Sequence, residues 1–184
     1  MTKHRFVGQA RILPPVKSTT ECMIAIYSTA LDSHPDILAK PYGATCIANW
    51  LSHANAPTLV HLMADKPPKF VRTVLTAKGL DNHSVAHSLA RYDSSALAEI
   101  FKVKSERFIA RILSESNGFF NVMQLLGDAD PSSLKTILGG KSSEFVTHVL
   151  SSRNSQGGRM AHSLVKKGTT LAEILEGQQA HTVR

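Results

Sequence analysis

Three of the nine histidines in this chain of 184 residues sit in similar apolar settings: "TLVHLMA" (58–64), "SVAHSLA" (84–90) and "RMAHSLV" (159–165). Three imidazoles brought together would suit zinc, which neutral histidine nitrogens bind at about 2.0–2.1 Å. His61, His87 and His162 are therefore the first candidates for chemistry. The rest of the sequence argues against it, because it contains no HExxH, no CxxC and no close cysteine–histidine cluster. A histidine carried by copied helical units also lands about 8–10 Å from its equivalent, the distance between packed helices, which is too far to share an ion. The expected role is structural, as a buried polar group that must be hydrogen-bonded. No metal and no cofactor is expected.

Nucleophilic and phosphate chemistry fare no better. Cys22 and Cys46 stand outside any catalytic signature, and Cys46 in "TCIAN" has the setting of a small helix-core residue. Two cysteines require no disulfide framework and fit a reducing compartment, while leaving a single Cys22–Cys46 bridge compatible with the sequence. Gly139-Gly140-Lys141-Ser142 resembles half of a phosphate loop, but the upstream glycine such a loop needs is replaced by Lys135. We read it as a helix stop followed by the N-cap of the next helix. Basic residues remain. Lys104, Arg107 and Arg111 fall at i, i+3 and i+7 of an expected helix, with Lys102 just upstream; Phe108, Ile109 and Ile112 are expected to face away. Arg153 and Arg159 flank the turn "SSRNSQGGR". This ridge and this turn are the candidate binding residues.

The elements that would position these groups are helical. The chain is 42% apolar, mostly Leu, Ala, Val and Ile, and 6% aromatic, a mixture suited to packed helices and long enough to build a core. No apolar run approaches the roughly 20 residues of a membrane span, and "MTKHRFVGQARILPP" has no apolar core of a secretory signal. A cytoplasmic setting is expected, or delivery into a host cell if the protein is an effector. Net charge is +7, a bias that fits an acidic protein partner and also permits nucleic acid. Residues 1–20 include "RFVGQARIL", a candidate strand, broken by "LPPVKSTT". "TECMIAIYSTAL" (20–31) reads as a helix capped by Thr20, "HPDILAK" as a short helical piece, and "GATCIANWLS" onward as helix–turn–helix.

A copied unit is visible in the second half. "LAEIF" (97–101), "LKTIL" (134–138) and "LAEIL" (171–175) follow one another at 37 residues. The same offset relates "VAHSL" (85–89) to "VMQLL" (122–126) and "SERFIARILSE" (105–115) to "SSEFVTHVLSS" (142–152). A period in this range is the signature of stacked supersecondary units. Residues 83–119 divide into three short helices, "SVAHSLARY", "SSALAEIFK" and "SERFIARILSES", with serines as expected N-caps of the second and third.

On these motifs the chain resembles a degenerate ankyrin repeat protein. "TLVHLMA" is similar to the Thr-Pro-Leu-His-x-Ala-Ala hallmark, with Thr58, His61 and Ala64 in register; Ser84, His87 and Ala90 repeat it, Gln124 takes the histidine place in "NVMQLLG", and His162 takes it in "GGRMAHSLV". The resemblance spans about residues 43–177. It departs from the family in lacking the proline, in the 26-residue interval from His61 to His87, and in an extra helix at 105–115 and 142–152. It implies that the histidines are structural, that no residue is catalytic, and that the protein is a binding scaffold. The expectation is an all-α, short helical solenoid over 43–177, an N-terminal segment (1–42) packing on the first repeat, and a disordered tail (178–184). Its expected function is non-catalytic protein–protein interaction, as an effector or as a phage or plasmid inhibitor of a host complex. Basic nucleic-acid association is the alternative.

Overall fold

The structure is a computed structural model that describes residues 18–79 and 81–153, together with positions 157, 159, 161 and 164. Ten α-helices dominate the described residues: α1 (Thr19–Ser33), α2 (Ile47–Ala54), α3 (Ala56–Met63), α4 (Pro68–Thr76), α5 (Val85–Tyr92), α6 (Ser94–Phe101), α7 (Glu106–Leu113), α8 (Val122–Ala129), α9 (Pro131–Leu138) and α10 (Ser143–Ser151). None of the described helices is long and apolar enough to cross a membrane. The candidate strand in residues 1–20 and the tail at 178–184 lie outside the described residues. The strand that is described comes later than expected. Pro41–Tyr42 (β1) pairs antiparallel with Thr45–Cys46 (β2) in a minimal hairpin turned at Gly43, whose φ of +60° suits a residue without a Cβ.

Local chemistry explains where the helices start. α1 begins two residues before the expected point, because Ser18 rather than Thr20 is its cap. The Ser18 hydroxyl accepts from Glu21 N–H (3.2 Å), and the Glu21 carboxylate accepts from Ser18 N–H (2.7 Å), a reciprocal capping box. "HPDILAK" forms turns rather than an α-helix. α6 is capped by Asp93, one residue ahead of the expected serine, through Ala96 N–H (3.1 Å). As expected, α7 is capped by Ser105, whose hydroxyl accepts from Phe108 N–H.

Nine of these helices fall into three groups of three. α2, α5 and α8 pack on one another in one row, α3, α6 and α9 in a second, and α4, α7 and α10 in a third. The same apolar positions are buried in each group. Leu51, Leu89 and Leu126 fill the first row; Leu59, Leu97 and Leu134 the second; Val74, Ile112 and Val149 the third. Burying one such side chain contributes about 1.5–3 kcal/mol, so the matched positions hold adjoining groups together as one core. α1 packs against α3 and closes the beginning of the second row.

This packing resets the register of the first group. Ile47 and Val85, the first residues of α2 and α5, are 38 positions apart, whereas Val85 and Val122 are 37 apart. The difference lies in the connecting loops. Backbone bridges close Lys78 onto Ser84 and Ser116 onto Asn121, so the second loop is one residue shorter. With the register set in this way, "TLVHLMA" does not match "SVAHSLA". It lies on α3, the second helix of its group, and matches "ALAEIFK" of α6. The residue equivalent to His87 is Asn49.

Candidate functional site

The histidine positions separate sharply. His87 is fully buried in the first turn of α5, at 0% exposure. Its Nε2 faces the Phe120 carbonyl at 3.3 Å and its Nδ1 faces the Ser84 hydroxyl at 2.6 Å. A carbonyl can only accept, so Nε2 carries the proton and Nδ1 accepts from the hydroxyl. Burial pushes this imidazole down to about 4, so it is neutral at pH 7. The ring therefore ties α5 to the next loop.

The neighbouring groups solve the same problem with amides. Asn121 accepts from Gln124 N–H (2.8 Å) while Gln124 Oε1 accepts from Asn121 N–H (3.2 Å). In the first group, Cys46 Sγ accepts from Asn49 N–H (3.4 Å) and the Ser88 hydroxyl of α5 donates to Asn49 Oδ1 (2.5 Å). Cys46 is buried and its thiol is pushed up by desolvation, so it remains protonated and serves as a cap. Cys22 is exposed, and both thiols are free.

The loops between groups are stitched to one another. Asn82 Nδ2 donates to the Asn117 carbonyl (2.9 Å), Lys78 Nζ to the Ser116 carbonyl (3.3 Å), and Asn117 Nδ2 meets His83 Nε2 (2.9 Å). Asn117 Oδ1 accepts from both Phe119 and Phe120 N–H groups at 2.9 Å, which fixes the amide orientation. On the opposite end of the first two rows, Asp130 caps α9 and links it to the second group through Ser94 (2.6 Å). The Ser132, Ser133 and Ser94 hydroxyls hold its carboxyl well below the usual carboxylate range.

Two expected repeat residues have other places. His61 is exposed in the last turn of α3 and does not join His87; nothing in its position corresponds to the ring-to-backbone bonds of His87. Thr58 is the third residue of α3, not an N-cap; Asn55 caps that helix and accepts from Thr58 N–H (3.2 Å). The Thr58 hydroxyl is buried with no hydrogen-bond partner among the described residues. The S/T-x-x-H-x-x-A spelling that 58–64 shares with 84–90 does not distinguish α3 from α5. His162 lies outside the described residues. No group of three histidine, cysteine or acidic side chains among the described residues could hold a metal ion.

The basic ridge is also rearranged. Lys102 pairs with Glu99 (3.2 Å). Lys104 precedes α7, is half-buried, and its ammonium donates to the Lys66 carbonyl (3.4 Å). Arg107 and Arg111 remain exposed on α7, and α4 adds Lys69 and Arg72 beside them. These four cations line one groove of about 340 Å³ between α4 and α7. No carboxylate lines it, and neither of the two ion pairs found among the described residues involves any of the four. Phe108 does not face away as expected. It is half-buried, lines the groove and packs edge-on against Phe101, with ring centroids 6.4 Å apart.

The signal for Lys69 and Arg72 was present in the sequence. "PKFVRTVL" (68–75) is the counterpart of "ERFIARIL" (106–113) and "SEFVTHVL" (143–150). The 26-residue histidine interval hid it. Arg107 and Arg111 also line the next groove along, between α7 and α10, and there Glu106 and Glu144 join them. Glu144 stands where Lys69 and Arg107 stand in the earlier helices, and Glu106 accepts from Ser142 N–H (2.7 Å) and its hydroxyl (2.6 Å). Those two bonds, the hydroxyl first, hold the Glu106 carboxyl below its ordinary range. Arg153 and Arg159 are exposed and pair across a backbone bridge beyond α10, and neither is among the residues that line the cationic groove.

A second exposed surface lies on the first row. Trp50 on α2 is 46% exposed, Tyr92 at the end of α5 is 59% exposed, and the His53 ring lies 4.6 Å from Tyr92, over which Arg91 is placed at 5.5 Å. No family model, curated protein or solved structure matches the chain.

Proposed function

We propose that the protein is a non-catalytic scaffold, an ankyrin-like helical solenoid that binds another protein through the exposed side chains of its helix rows. In such an arrangement the matched apolar positions are committed to neighbouring groups, and recognition falls to exposed positions that differ between groups. One observation carries the reading: four cations converge on the α4–α7 groove with no carboxylate among its lining residues. An acidic partner surface supplies the missing charge and is steered to the groove by it. The exposed Trp50, Tyr92 and Arg91 support the same reading, since Trp, Tyr and Arg are the side chains enriched at interface hot spots. A protein acting by occupying its partner fits an effector or an inhibitor of a host complex, working in a cytoplasm.

The test is affinity capture with the wild-type chain and with Arg107→Glu/Arg111→Glu, side by side. A stoichiometric protein retained by the first and lost by the second supports the reading; equal retention refutes the groove as the contact. The same four cations favour one rival, association with nucleic acid. Electrostatic binding of that kind falls steeply with salt. A gel shift that disappears by about 150 mM salt, where the screening length is about 8 Å, reduces it to nonspecific attraction.

A further inference from the structure

We infer that the α4–α7 groove seats a short acidic segment of a partner protein, with carboxylates three or four residues apart on one helical face and an apolar residue between them. This rests on the scaffold reading and assigns its contact.

The cations form two rails. Lys69 and Arg72 are three residues apart on α4; Arg107 and Arg111 are four apart on α7. Side chains so spaced on a helix have neighbouring Cβ atoms about 5–6 Å apart, the spacing that carboxylates at i and i+4 present in return. Lys69 and Arg107 occupy equivalent places on adjacent helices, so the rails are separated by about one helix packing distance, 8–10 Å. Between them the half-buried Phe108 offers an apolar floor. Arginine suits this task because its planar fork accepts a carboxylate through two parallel bonds.

The size and the ends of the site decide between a peptide and a polynucleotide. A groove of about 340 Å³ takes a few side chains. Phe108 is the one aromatic among the groove's lining residues, so the groove lacks the succession of stacking platforms on which a single strand lays its bases. The row then changes sign, because α10 places Glu144 at the position held by Lys69 and Arg107. A continuous polyanion tracking along the row meets that carboxylate. A short acidic segment stops before it.

The test uses fluorescence anisotropy at about 150 mM salt, where exposed charges more than about 8 Å apart are largely screened. The probe is a labelled helical peptide carrying glutamates at i and i+4 on either side of a leucine. Its controls are the same peptide with glutamine for glutamate and a labelled single-stranded oligonucleotide. The expected result is binding of the glutamate peptide, at least tenfold loss with the glutamine peptide, and at least tenfold loss in both Lys69→Glu/Arg72→Glu and Arg107→Glu/Arg111→Glu. Lys69→Gln/Arg72→Gln gives the same direction if the reversed pair does not fold. Tighter binding of the oligonucleotide overturns the inference, as does the absence of any glutamate-peptide binding. Loss with the α7 pair but not the α4 pair also overturns it, moves the contact to the α7–α10 side, and leaves the scaffold reading standing. Captured protein that ignores all four substitutions refutes the groove and the reading's central observation together.

Discussion

The loop edge of the molecule, where successive groups join, and its outer helix row of α4, α7 and α10 treat polar side chains in opposite ways. At the loop edge, His87, Asn121 and Gln124 are buried, and every one is bonded to a capping partner or to a neighbouring loop. On the outer row, Arg107 and Arg111 are exposed and line two grooves, one shared with Lys69 and Arg72 and lined by no carboxylate, the other shared with Glu106 and Glu144. His61 and His87 express the same contrast within one residue type, one exposed and one sealed. Short-range composition does not distinguish them. What differs is the place in the three-helix group: the N-terminal turn of a first helix demands a side chain that satisfies backbone donors, and the last turn of a second helix does not. The loop edge should therefore govern stability, and the outer row should govern binding.

The largest effect expected at the loop edge is acid sensitivity. The folded pKa of His87 lies below its unfolded value, so the stability it contributes is full above about pH 6.5 and is lost as pH falls toward about 4. A shift of that size corresponds to about 3 kcal/mol at the limit. Chemical denaturation at pH 7 and pH 4 reads it directly. His87→Gln, which copies Gln124, should keep the fold and flatten the part of the slope between these values; an unchanged slope would show that His87 is not the group responsible.

Next comes the paired deletion. His87→Ala leaves the Phe120 carbonyl and the Ser84 hydroxyl without their partner and should cost about 1–3 kcal/mol. His61→Ala should change stability by no more than about 0.5 kcal/mol. Equal losses from the two substitutions would contradict the register described above. Zinc or a chelator should leave both melting curves unmoved.

Smaller effects follow at the helix starts. Asp130→Ala removes the α9 cap together with the link to Ser94 and should cost about 0.5–2 kcal/mol, the usual range for a lost N-cap. Thr58→Val should go the other way, by up to about 1 kcal/mol, because it removes a buried hydroxyl that has no partner. A clear loss from Thr58→Val would mean that this hydroxyl is satisfied after all.

Much of this was legible in the sequence where helical periodicity and copied segments coincide. The three helices at 85–113 and their counterparts at 122–151 follow from the 37-residue offset and their capping residues. The first group was not legible from its histidine, because "TLVHLMA" and "SVAHSLA" share spelling while serving different helices. It was legible from "PKFVRTVL", whose Phe70, Val71, Val74 and Leu75 match Phe108, Ile109, Ile112 and Leu113. The candidate site was half visible for the same reason. One helix shows the i, i+4 pair Arg107 and Arg111, but a groove needs two helices, and the contribution of Lys69 and Arg72 depends on which elements pack together. Lys102 and Lys104 were indistinguishable from the groove residues by sequence, since their partners are Glu99 on the same helix and the Lys66 carbonyl from the preceding group.

Hydrogen–deuterium exchange of the full chain, with and without the glutamate peptide, tests the central claim most directly, because it reports both regions at once. Amides in α4 and α7, residues 68–76 and 106–113, should gain protection when the peptide binds, while α5 and the loop at 115–121 keep the exchange rates of the free protein. Protection that appears instead on α2 and α5, around Trp50 and Tyr92, would contradict the account and place the binding surface on the first row.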